Sequence, residues 1–173
     1  MAITRLGGAN AITGTIPQGN IANASLGAVT ALPASITTGK VLQVVTATDN
    51  TPLSSSSTSY IDTGLSASIT PSSSSNKVLV IVTTGVHGVD AATSQGMYLK
   101  LVRDSTDLIQ QNSWGSHPTI TYIYGQGHCF NYLDSPSSTS STTYKLQYKS
   151  GDGTNHVLEN GSTAVMTLLE VSA

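Results

Sequence analysis

The chain has 173 residues, a formal charge of −2 and only 9% charged residues, against about a quarter in an ordinary soluble domain. Its seven Lys and Arg form no basic stripe, which argues against nucleic-acid binding, and no apolar run approaches the roughly 20 residues that span a bilayer. One cysteine, Cys129, excludes an intrachain disulfide framework and fits assembly in a reducing cytoplasm.

The length allows one ordinary domain plus an appendage. Serine and threonine together occupy 49 positions, so hydroxyls, amides and glycine cover the surface in place of ions. Little electrostatic repulsion then separates copies of the chain, which points to self-assembly. The N-terminus lacks a basic stretch followed by an apolar one, so no secretory leader is expected.

Residues 1–39 contain one ionic side chain, Arg5. Gly7, Gly8, Gly14, Gly19, Gly27 and Gly39 disfavour a helix, and Pro17 and Pro33 interrupt any long strand. Apolar residues nevertheless recur every three to six positions, among them Ile12, Ile16, Ile21 and Leu26. A disordered tail is ordinarily poorer in such residues and richer in charge. The expectation is an extended N-terminal arm, anchored in a partner's groove by Ile12, Ile16, Ile21 and Leu26; the alternative is a mobile leader that docks nowhere.

From residue 40 the period changes. Strands are expected at 40–47, 58–62, 65–70, 77–84, 97–103, 107–111, 119–124, 127–133, 142–149 and 163–171, where β-branched and tyrosine residues dominate. Residues 77–84 (KVLVIVTT) are apolar at successive positions, the pattern of a strand buried on both faces. Residues 142–149 alternate, with Tyr144, Leu146 and Tyr148 opposed to Lys145, Gln147 and Lys149, as in a half-buried strand. Turn signals fall between the runs, at 49–52, 71–75, 104–105, 134–136 and 151–153. No long window keeps a helical period, although 89–96 could hold one turn. The fold class expected for 40–173 is all-β: an antiparallel β-sandwich, jelly-roll-like, preceded by the extended arm.

No catalytic, cofactor or metal site is expected. His87, His117, His128 and His156 lie far apart in sequence, without a second ligand at metal-binding spacing. Cys129, beside Phe130, reads as a small buried packing residue. Asp49, Asp62, Asp90, Asp104, Asp107, Asp134 and Asp152 mostly fall at turns, where Asp bonds its own backbone. Asp104 and Asp107 could supply half of a calcium loop, but the rest of that pattern is missing. Neither a G-x-S-x-G elbow nor a phosphate-binding loop occurs.

One segment has binding-type chemistry: 110–118 (QQNSWGSHP), which sets the single tryptophan among amides and hydroxyls. Two readings are open. Trp114 and His117, with Tyr122 and Tyr124 nearby, form a surface-contact loop for a sugar or protein, or Trp114 folds back as a lid on the core.

The stretches TGKVLQVVTATDN (38–50), STSYIDTGLSASITPSSSSNKVLVIV (57–82), GMYLKLVRDST (96–106), LDSPSSTSSTTYKLQYKS (133–150) and VMTLLEV (165–171) together resemble small virion surface proteins of tailed phages, the marine-phage type in particular. The leader GTIPQGNIANASLGAVTALPAS (14–35) is similar to the linking segments before the head domains of phage fibres. This resemblance implies a homotrimeric jelly-roll-like module on a virion assembled in the host bacterial cytoplasm, joined to other virion proteins by its arm. It further implies a tail fibre- or spike-type adsorption subunit that meets a host surface glycan or protein. The alternative is a capsid decoration (cement) protein that stabilises the head, and a third reading is a carbohydrate-binding or hydrolytic domain. It carries over no functional residue.

Overall fold

A computed structural model describes residues 40–90, 95–115, 122–125, 127–151 and 153–173; the expected arm and its expected anchors Ile12, Ile16, Ile21 and Leu26 lie outside them. The β-structure begins at Val41, where the sequence period changes. Twelve strands follow: β1 (Val41–Asp49), β2 (Leu53–Ser55), β3 (Ile61–Ile69), β4 (Lys77–Thr83), β5 (His87–Asp90), β6 (Gln95–Arg103), β7 (Thr106–Gly115), β8 (Tyr122–Gly125), β9 (Cys129–Asp134), β10 (Thr142–Ser150), β11 (Asn155–Val157) and β12 (Ala164–Val171).

Eight of these make a sandwich of two antiparallel sheets, ordered β1-β12-β4-β9 and β3-β10-β6-β7. Chain-order neighbours repeatedly fall on opposite sheets, while the first and last strands pair, as in a jelly roll. The all-β antiparallel sandwich expected for 40–173 is therefore the observed one. Its core follows from alternation: Val78, Val80 and Val82 face Leu65, Met97, Leu99, Leu101, Tyr144, Leu146 and Tyr148, with Met166 and Leu168 beside them, each at most 2% exposed. Burying each such side chain contributes roughly 1.5–3 kcal/mol.

The remaining four strands form a third sheet, β2-β11-β5-β8. Each is an insertion: β2 follows β1, β5 follows β4, β8 follows β7 and β11 follows β10. Strands β1 and β4 both flank β12 antiparallel, so they end at the same edge of the sandwich. Strands β7 and β10 both flank β6 antiparallel and end together likewise. Since β1 passes through β2 directly to β3, which starts where β10 ends, all four insertions open at one end of the roll. The third sheet is a cap over that end, and its Val157 and adjacent Leu158 join the main core.

Four expectations need correction. The runs 58–62 and 65–70 belong to one strand from Ile61, because Thr63, Gly64 and Leu65 bulge opposite Leu146. Thr63 Oγ1 donates to the Leu146 carbonyl (2.9 Å), and Gly64 takes φ 101°, where a β-carbon would collide with the Asp49 carboxylate. The strand expected at 107–111 runs on to Gly115, paired with β6 as far as Gln95. The helical turn considered for 89–96 is not formed at either end, since Val89 and Asp90 belong to β5 and Gln95 and Gly96 to β6. Strand β4 is not buried on both faces: Val78, Val80 and Val82 are, whereas Leu79 and Ile81 are only half-buried.

Candidate functional site

Two carboxylates, Asp134 and Glu170, are buried. Asp134, at a turn signal in the sequence, is 5% exposed and forms a clamp between the sheets. From β9 it accepts two hydrogen bonds from Arg103 Nη1 of β6 (2.7 and 2.8 Å) and one from the Tyr144 hydroxyl of β10 (2.7 Å). Burial, and then this bond to Asp134, push the Tyr144 phenol far above its ordinary pKa.

Glu170 of β12 is 1% exposed and has no cation beside it among the described residues. Its Oε1 accepts from the Ser72 amide (2.7 Å), the Ser72 hydroxyl (2.7 Å) and Asn76 Nδ2 (2.6 Å), and its Oε2 from Gln43 (3.2 Å). Burial alone would raise its pKa. The hydrogen bonds from Asn76, Ser72 and Gln43 outweigh burial and hold it below the usual carboxylate range. A proton donor for catalysis needs the opposite shift. Asp134 ties β9 to β6 and β10, and Glu170 ties β12 to β1 and the 72–76 turn.

The structure brings together two histidines that the sequence separates. His87 of β5 and His128, just before β9, stack with centroids 5.1 Å apart and planes at 21°, where the cap meets the roll. His156 of β11 lies 3.5 Å from Glu159. Among the described residues no three His, Cys, Asp or Glu side chains converge as metal ligands do. Cys129 corrects another expectation: it is exposed, since on β9 its neighbour Phe130 takes the core position. A groove beside β2 is lined by Asp49, Thr51, Pro52, Asp62 and Thr63. Its acids are already engaged, Asp49 by the Thr51 amide (3.0 Å) and Asp62 by Gln147 (2.7 Å) and Lys145 (3.4 Å).

The strongest functional contrast is between the outer faces of the two sheets. On β1-β12-β4-β9, the outward residues form cross-strand rows: Val44–Leu169–Leu79–Leu133, then Thr46–Thr167–Ile81–Asn131, then Thr48–Val165–Thr83–Cys129. No charged side chain occurs in these three rows. Val44 is 58% exposed, Leu133 51% and Leu42 44%. A further pair, Val41–Val171, reaches a charge only at Lys77. Contiguous exposed apolar surface of this kind marks a contact surface.

The outer face of β3-β10-β6-β7 is polar. Lys145 and Gln147 meet Asp62, Lys100 meets Asp107 (3.0 Å), and Ser68 bonds Thr143 (2.8 Å). Tyr60 leans over this face with its ring 4.2 Å from Lys100 Nζ, and its hydroxyl donates to Gln110 (3.2 Å).

Of the expected contact residues, Trp114 lies on β7 opposite Gly96, a strand position instead of a loop. Tyr122 and Tyr124 belong to β8 in the cap, opposite Asp90 and Gly88. His117 lies outside the described residues. The first amides of that segment, Gln110 and Asn112, pair with Lys100 and Tyr98 on the polar face. Sequence reasoning missed the apolar face, although its signal was present in the double-sided apolar pattern of 77–84.

No protein-family model matches the chain, and no curated protein sequence does. Among solved structures, it is similar to a chain in the structure of the infectious bursal disease virus Gt strain, with 17% identity over 75% of this chain and 37% of that one, TM-score 0.43. It is similar also to the infectious bursal disease virus VP2 subviral particle (15% identity, 75% and 39% covered, TM-score 0.38). This chain thus spans under two-fifths of the length of the chains it matches. No helix among the described residues is long and apolar enough to cross a membrane.

Proposed function

We propose that this chain is a structural subunit of a virion, which assembles with copies of itself through the uncharged outer face of β1-β12-β4-β9. The observation that carries this reading is the mismatch on β4. Its sequence is apolar on both sides, as strands with two covered faces are, yet in one chain Leu79 and Ile81 remain half-exposed. A second protein layer over Val44, Leu79, Leu133 and Leu169 completes the burial that the sequence anticipates. Because the three central rows of the face have no charge and Lys77 stands at its margin, a second copy packed on those rows meets no like-charge repulsion there.

The finer assignment comes from the resemblance of 38–171 to small tailed-phage virion proteins. On that basis the assembly is a homotrimer of the adsorption apparatus, a fibre or spike head with no enzymatic role. Residues 1–39 then form the arm that joins it to other virion proteins, with Ile12, Ile16, Ile21 and Leu26 as anchors. Sedimentation equilibrium of the full chain tests the assembly. A mass of three chains is expected; a single-chain mass at all concentrations overturns it. Removal of residues 1–39 should leave a folded roll that no longer joins the particle, and normal incorporation would overturn the arm. Binding of the purified protein to head shells, with a gain in shell stability, would move the assignment from the tail to capsid decoration.

A further inference from the structure

We propose that the polar outer face of β3-β10-β6-β7 carries a binding site for an anionic saccharide, centred on Lys149 between the rings of Tyr60 and Tyr98. The inference goes beyond the assembly reading, because this site lies on the opposite sheet and is assayed on the purified chain. Three lysines stand on this face. Lys100 has Asp107 at 3.0 Å and Lys145 has Asp62 at 3.4 Å. Lys149 differs: its Nζ lies 5.1 Å from the Tyr60 centroid and 5.0 Å from that of Tyr98. Among the described residues no carboxylate comes within ion-pair distance of it. Three lysines against Asp62 and Asp107 leave this face with a net +1, on a chain whose formal charge is −2.

The Tyr60 ring is also held in place before any ligand arrives. Lys100, its side chain only 12% exposed, sits under the Tyr60 ring, and Gln110 fixes the Tyr60 hydroxyl. Cation–π contact within about 6 Å positions an ammonium without neutralising it, so among the described residues Lys149 is held by rings and not by a counter-charge. The two half-exposed rings turn faces to the lysines and leave their apolar edges beside the ammonium for the C–H side of a sugar, and the exposed Asn112 amide, paired with Tyr98 across the sheet, offers a hydrogen bond to its hydroxyls. Ring, amide and fixed cation together favour a carboxylated or sulfated saccharide over a neutral one. Preorganisation lowers the ordering cost of binding it.

The test is calorimetric titration of the full chain with four probes: an alginate oligomer, a sulfated dextran oligomer, a neutral dextran of equal length and a polyglutamate peptide. Binding of one or both anionic saccharides, with none of neutral dextran, is expected, and which of the two binds identifies the anion. Lys149→Gln and Tyr60→Leu should each weaken binding about tenfold or more. Lys149→Arg should restore it, and Leu133→Gln on the other sheet should leave it unchanged. The proposal is overturned if neither anionic saccharide binds, if Lys149→Gln binds as the parent does, or if polyglutamate binds as tightly as the saccharides.

Discussion

On β4, Leu79 and Ile81 point away from the core and pair across the sheet with Leu169, Leu133, Thr167 and Asn131, none of them charged; on β10, Lys145, Gln147 and Lys149 occupy the same kind of outward position with three polar heads. The two sheets share one core and one alternating grammar. They differ only in what the chain places on the outer half of each strand. A strand that spends apolar residues on both faces is written for two contacts, and a strand that alternates is written for one contact and solvent. The outer faces therefore differ in chemistry: the rows of one are uncharged and partly apolar, and the other carries lysines, carboxylates and amides.

Substitution of one charge on each face breaks the comparison most sharply. Leu169→Lys, in the middle of the apolar row, should lower self-association at least 100-fold, because an unpaired ammonium would be buried between copies. Ser66→Lys on the polar face should leave association unchanged. Sedimentation of both variants measures the difference.

The next largest effect lies in the tie that holds the two sheets together. Asp134→Ala leaves Arg103 and the Tyr144 hydroxyl without their shared acceptor and should cost about 3 kcal/mol of stability. Urea unfolding, with an unchanged dependence on denaturant, checks it. Glu170 gives a smaller, pH-dependent effect. Its folded pKa lies below the ordinary value of 4.5, so its contribution is fully present above that value. It is lost as pH falls through the depressed folded value, at about 1.4 kcal/mol for each unit of depression. Glu170→Gln should flatten that part of the acid limb of a thermal-melting profile. Smallest of all, Lys149→Gln should change stability by only about 0.5–1 kcal/mol, the worth of exposed cation–π contacts.

Long strands were legible in the sequence because each one repeats its alternation several times. Tyr144, Leu146 and Tyr148 occupy the core positions their spacing assigned. The cap was not legible in the same way. Strands β2 and β11 have three residues each and β5 has four, too few to establish a period, and their partners lie across long sequence gaps. The Asp134 clamp and the His87–His128 stack depend on the same distant closures. Residue type favours a buried Cys129, whereas strand parity exposes it and gives the core position to Phe130. Trp114 was placed in a loop by its polar neighbours, yet cross-strand pairing with Gly96 carries β7 through it.

Cys129 supplies the most direct test of the apolar face, being the single cysteine of the chain and exposed on the row Thr48–Val165–Thr83–Cys129. Its rate of maleimide labelling can be followed in the full chain and in Leu169→Lys under native conditions. If copies cover this face, Cys129 labels slowly in the parent protein and rapidly in the variant. Equal, rapid labelling of both proteins at concentrations well above the cellular range would contradict the account.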